Sequence, residues 1–294
     1  VIFGVVLGLF VLGAYAASLA RPATADSPSA AVHHAGDGPS TEWRIVLGAT
    51  AAISWLFVLF QLSYLFGAAP AVAGSGVTFA GFARQGFGQL AFAATTAALL
   101  IVAAEVRVAP DDRGARRALA IPALVLLAAV ACILASAFHR VTLYENAYGF
   151  TTMRVYAQAY MVMTLAILAV LAWHAARTFD VNALARHIMT IALATLTVLA
   201  YWNADAWVAR ANVARFAQTG TLDVTYLTHG LSPDAYPALV ESLPALREPE
   251  RTQLATALRH EYARRPFMQA ADRWYEWNAR RERARGALLA LGAP

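Results

Sequence analysis

Long apolar runs separated by short polar breaks fill the first two thirds of the chain. A run of 18 or more apolar residues can cross a hydrocarbon core of about 30 Å as a helix. It has to be a helix, because lipid offers no partner to backbone N–H and C=O groups. The pattern predicts about six spans. The first two are Val1–Ala20 and Arg44–Gly67, and the third is opened by Arg84, Gln85 and Gln89 and ends near Arg107. Then come Ala118–Phe138, Val155–Ala175 and His187–Tyr201, the last continuing as helix through Trp202–Phe216. Arg21–Trp43, rich in Pro, Gly, Ser and Asp, reads as a flexible loop. His139–Arg154 is the most polar stretch between spans. The opening run lacks the positive flank of a secretory signal and is long for one, so it reads as a span. Starting at Val1 inside that run, without Met, the chain reads as a piece of a longer protein.

From about Thr219 the pattern changes. Ser232 as N-cap with Pro233 at the first helical position predicts a helix within Leu231–Leu243. Glu248-Pro249-Glu250 starts another, with acidic residues at its positive end, running to about Arg264. Pro266 opens a last helix containing Trp274, Trp277 and Leu288. The expected fold class is therefore all-α: a polytopic transmembrane helix bundle over 1–216, its last helix extending out of the membrane, followed by a soluble helical C-terminal domain over 217–294.

Composition sharpens this. The 294 residues are 59% hydrophobic and 14% charged, against roughly 25% charged in soluble domains. The net charge is +5, with Arg as the only basic residue besides His. A basic chain raises nucleic acid as a partner, but the arginines sit at the ends of apolar runs and in the C-terminal stretch, and no nucleic-acid-binding signature accompanies them. Membrane lipids are the expected partners, together with an envelope protein. Arg21, Arg44, Arg107, Arg113, Arg116, Arg117, Arg177 and Arg186 fall in the first, third and fifth loops, against Arg84, Arg140 and Arg154 in the second and fourth. That bias predicts cytoplasmic odd-numbered loops and an extracytoplasmic C-terminal domain. The abundance of Ala and the absence of Lys suggest a high-GC bacterial genome, hence a bacterial inner-membrane location. Cys132, the single cysteine, forms no intrachain disulfide and no Cys-based metal site.

Polar residues at membrane depth are costly and therefore candidates for function. Gln61 and Arg84 form a first group, in which Arg84 either binds an anion such as a lipid phosphate or anchors its helix at the interface. His139, Arg140, Tyr144, Glu145 and Arg154 form a second. A His and a Glu can act as acid and base, yet these are six residues apart, and no nucleophile, metal or phosphate-loop motif joins them. Asn203, Asp205, Asn212 and Arg215 form a third. If Tyr201–Phe216 stays helical, Asp205, Asn212 and Arg215 share a face that can dock against the His139–Arg154 stretch. His33 and His34 lack the convergent company a metal site needs, while His174 and His187 read as interfacial. No catalytic, cofactor-binding or metal-ligating residue is assigned, and no cofactor is expected.

The motifs FQLSYLFG, GVTFAGFARQGFGQL, LYENAYGFTTMR, NADAWVARANVAR, LDVTYLTHGLSPDAYPAL and WYEWNARRERAR occur in this order over about Ile53–Arg285. In that order they resemble a bacterial family of uncharacterised multi-pass membrane proteins, the domains of unknown function 4153 and 4173. The resemblance implies several spans and an extracytoplasmic C-terminal portion, and no reaction, substrate or cofactor. Three readings follow: a non-enzymatic cell-envelope protein, which leads; an envelope enzyme acting on a lipid-linked substrate, with Arg84, His139, Arg140 and Arg154 holding a phosphate and Glu145 or Asp205 as base; and a transporter. The nearly wholly apolar centres of the fourth and fifth spans rank the transporter last.

Overall fold

The computed structural model describes residues 39–67, 79–107, 112–177, 179–264 and 277–292, with the backbone only at 39–40, 61–67 and 79–91. All regular structure among them is helical. The long helices are α1 (Pro39–Gly67), α2 (Phe79–Arg107), α3 (Arg113–Tyr148), α4 (Thr152–Ala176) and α5 (Val181–Tyr201). Shorter ones follow: α6 (Ala204–Thr219), α7 (Tyr236–Ser242), α8 (Glu250–Arg264) and α9 (Ala279–Ala290). A π-helical turn at Tyr226–Gly230 and 3₁₀ turns at Pro233–Ala235 and Leu243–Ala245 link them. Four described segments are long and apolar enough to cross a membrane: Thr41–Phe60 in α1, and the whole of α3, α4 and α5. The expected first span and the His33–His34 pair lie outside the described residues.

The chain divides into two compact units, 1–141 with 158–195, and 142–157 with 196–294. The second unit joins the end of α3 and the start of α4 with the C-terminal helices.

In the first unit, Ala94, Ala97, Ile101 and Ala104 line one face of α2, and Leu119, Ala123, Leu126, Val130 and Ile133 one face of α3. Spacings of three and four residues stack these side chains over successive turns. The many alanines let backbones approach closely, as suits packing in lipid. Trp55 donates from Nε1 to the Val125 carbonyl at 3.1 Å. Thr50, Ser54, Thr164, Thr190 and Thr195 each bond the carbonyl one turn back, so these hydroxyls bring no orphan donor into the membrane. Ile53, Phe57, Phe60, Phe92, Ile121, Val162 and Leu193 are exposed. An apolar surface on this scale needs a non-aqueous neighbour.

Asp180 starts α5. Its carboxylate accepts from the Asn182 and Ala183 amides at 2.9 and 3.1 Å, satisfying donors that a helix N-terminus leaves orphaned. The Ala183 amide foremost holds this carboxyl below its ordinary value, with Asn182, Arg186 and His174 adding to the effect. The folded value being depressed, the cap's contribution is complete above the unfolded value near 3.9 and is lost as pH falls through the folded one. Amide exchange in the first turn of α5 is expected to rise in Asp180→Ala at neutral pH, and wild type and variant should converge at low pH.

In the second unit, Val208, Ala209 and Val213 of α6 pack with Tyr236 and Leu239 of α7, Leu254 and Leu258 of α8, and Ala284 and Leu288 of α9. Here four local expectations are corrected. The helix of the last span stops at Tyr201 and a new one begins at Ala204, because the Asn203 side chain caps the Ala206 amide at 3.0 Å. The stretch His139–Arg154 is mostly helix, as α3 runs to Tyr148. Ser232 makes no side-chain cap; it precedes a 3₁₀ turn, and α7 starts at Tyr236. Trp277 precedes α9 rather than lying in it, and Asn278 caps that helix through the Arg280 and Arg281 amides. Trp274 is outside the described residues. The Glu250–Arg264 helix falls where expected.

Candidate functional site

Polar side chains of the second unit converge on two helix ends. At the C-terminus of α3 the last carbonyls have no partner within the helix. Arg215 of α6 donates from Nε to the Asn146 carbonyl at 2.9 Å and from Nη2 to that of Ala147. Arg154 donates to the Gly149 carbonyl, and its guanidinium lies 4.2 Å above the Tyr144 ring. Asn212 grips Phe150 on both sides, accepting its N–H at 2.9 Å and donating to its C=O at 2.8 Å. Two guanidinium groups at the negative end of a helix also suit its dipole. Gly149, with φ of +90°, turns the chain here. Glu145 is buried one turn earlier.

At the N-terminus of α6, the Asp205 carboxylate ties three segments together. Oδ1 accepts from the Thr152 hydroxyl at 2.7 Å; Oδ2 accepts from the Ser232 amide at 3.1 Å and from the Ser232 hydroxyl. The Thr152 amide donates to the Tyr226 hydroxyl at 2.9 Å. Tyr226 sits in the π-helical turn, where a Cβ on Gly230 would stand 2.4 Å from its ring, so only glycine leaves the ring in place.

Asn203 and Arg280 complete the arrangement. Asn203 donates to the Asp234 carbonyl at 2.8 Å. Arg280, in the first turn of α9, pairs with the Asp234 carboxylate at 3.1 Å and donates to the Ala200 carbonyl at 2.9 Å, closing the C-terminus of α5. Aromatic side chains border these contacts: Phe150 meets Trp207 edge-on at 5.3 Å, and Trp202 lies 5.9 Å from Trp207.

Of the residues singled out in the sequence, Tyr144, Glu145, Arg154, Asn203, Asp205, Asn212 and Arg215 all fall in this unit. His139, exposed, and Arg140, half-buried, belong to the first unit. Gln61 lies in α1 and Arg84 in α2, and their side chains are outside the described residues.

Sequence reasoning missed Thr152, Ser232 and Arg280 as partners. It also missed a linked set in the same unit. The Thr228 hydroxyl lies 2.9 Å from His229 Nδ1, and His229 Nε2 lies 3.2 Å from the buried Glu261 carboxylate. The order hydroxyl, imidazole, carboxylate is that of a nucleophile and its base. Thr228, however, is fully buried and donates to the Val224 carbonyl at 2.9 Å, so its hydroxyl cannot meet a substrate. No regular spacing connects 228, 229 and 261, and only the packing of the π-helical turn on α8 pairs them. Among the described residues no three His, Cys, Asp or Glu side chains come together as a metal site would require.

An all-helical architecture, four segments able to span a bilayer and an exposed apolar surface define an integral membrane protein. The chain belongs to the family DUF4153, a domain of unknown function, whose model matches residues 1–242. The match covers all the resembling motifs except the C-terminal WYEWNARRERAR. No curated protein and no solved structure matches the chain.

Proposed function

We propose that this chain is a non-enzymatic protein of the bacterial cell envelope, with about six spans in the inner membrane and an extracytoplasmic C-terminal portion. That portion engages a protein partner or lipid headgroups. The observation that carries this reading is how the motif residues spend their hydrogen-bonding groups. Asn203, Asp205, Asn212, Arg154 and Arg215 bond backbone atoms and hydroxyls of the chain itself. They hold helix ends in place, as a scaffold does. Tyr148, Tyr201, Trp202, Trp207 and Trp277 remain exposed in the same unit, and Trp and Tyr favour the headgroup layer.

Two measurements test this. A reporter that is active only outside the cytoplasm, fused after Pro294, should be active. The purified chain in nanodiscs should not turn over lipid-linked phosphate substrates. Turnover that Glu145→Gln or Asp205→Asn abolishes, in protein that remains folded, would replace this reading with an envelope enzyme.

A further inference from the structure

The first unit holds a group of ionisable side chains that the scaffold reading does not use. It gathers near one end of four helices: Glu105 near the end of α2, Arg116 near the start of α3, His174 near the end of α4 and His187 in the second turn of α5. His174 is 6% exposed and Glu105 2%, whereas His187 is exposed. The two imidazoles are in hydrogen-bond contact, His174 Nε2 to His187 Nδ1 at 3.2 Å. His174 Nδ1, Glu105 Oε1 and Arg116 Nε are each buried without a hydrogen-bond partner among the described residues. Arg116 donates to the Phe179 carbonyl at 3.3 Å, and the Phe179 ring stands edge-on to His174 at 6.3 Å.

Burying an imidazole nitrogen with nothing to bond is costly, and a polar group in the apolar part of a membrane protein is a mark of function. Two ring nitrogens 3.2 Å apart are close enough for one to donate a proton to the other. Two imidazoles are too few ligands for a metal site, which takes three or four. Among the described residues no third ligand joins them. Histidine is the side chain whose ordinary range allows it to gain and lose a proton near neutral pH.

We propose that His187 and His174 form a proton-uptake site, in which a solvent proton bound by exposed His187 is relayed to buried His174. Uptake starts with His187 protonated at Nδ1 and His174 at Nδ1. A hydronium ion gives a proton to His187 Nε2 and leaves as water. The Nδ1 proton of His187 crosses to His174 Nε2. His187 ends neutral as the other tautomer, and His174 ends as the cation with both nitrogens protonated. The charges around the pair allow this. Asp180 lies within electrostatic range of His174 and of Arg186, and Glu105 lies within that range of Arg116. Arg177 is turned onto the Trp173 ring at 3.7 Å. Aligned hydrogen bonding is what makes such a transfer fast, and a positioned acid or base speeds proton transfer by about 10²–10⁴-fold.

The test is nitrogen NMR of the full chain in nanodiscs, with ¹⁵N-labelled histidine, between pH 5 and pH 8. In the wild type a nitrogen–nitrogen coupling across the hydrogen bond should join His187 Nδ1 to His174 Nε2. In His187→Gln, exchange of the His174 ring proton with water should slow by roughly a hundredfold. An unchanged exchange rate in the variant would overturn the proposal. If the variant does not fold, the wild type alone decides, since absence of that coupling would overturn the proposal and its presence would support it.

Discussion

Asp205→Ala is expected to destabilise the second unit by about 3 kcal/mol, the order measured when a charged acceptor is removed from several hydrogen bonds. Asp205 accepts from Thr152 and twice from Ser232, so its loss strands three donors at the junction of α4, α6 and the turn before α7. A loss of that size raises the local opening constant roughly a hundredfold, at 1.4 kcal/mol per factor of ten. Hydrogen-exchange mass spectrometry is the suitable readout, because opening confined to one cooperative unit shows as loss of protection there alone. Residues 152–156 and 226–236 should lose protection, while the apolar faces of α2 and the first half of α3 should not. Asp205→Asn keeps one acceptor oxygen but turns an amide NH₂ toward a donor, and a cost of about 1–2 kcal/mol is expected. Equal exchange in wild type and Asp205→Ala would mean that these bonds do not hold the unit.

Gly149→Ala should cost about 3 kcal/mol, by two separable routes. A Cβ at φ of +90° strains the backbone of an L-residue by roughly 1–2 kcal/mol. The same Cβ would stand 2.7 Å from Asn212 Oδ1. Asn212 could rotate away only by releasing the Phe150 amide and carbonyl and the Val208 carbonyl, a further cost of about 1–2 kcal/mol. A double-mutant cycle separates the routes. With Asn212→Ala already in place, Gly149→Ala should cost only the backbone part. Full additivity would show that the steric contact carries no energy.

Both variants act on residues picked out in the sequence as candidates for binding or chemistry. Asn212 and Arg215 were expected to face the His139–Arg154 stretch, and they do bond its backbone at Asn146, Ala147 and Phe150. What they grip is the end of a helix. The segment His139–Arg154 suggested a loop because it is the most polar stretch between the spans. It is helical to Tyr148 because donors from α6 satisfy its last carbonyls, and such help from 60 or so residues away leaves no local mark. In the same way a propensity argument extends the last span through Trp202. The break at Asn203 depends on its side chain finding both the Ala206 amide and the Asp234 carbonyl. Ser232 has the residue type of an N-cap, but its hydroxyl goes to Asp205.

The apolar runs by themselves determined that this is a helical membrane protein, since a long uncharged stretch has one solution in lipid, whatever its neighbours are. The ordered motifs likewise determined its family. Tertiary structure decided which polar residues meet. It placed Thr152 and Ser232 around Asp205, Arg280 on Asp234, and exposed His187 against buried His174. These contacts join positions 13 to 53 residues apart, and their energies come from partners that no spacing rule encodes.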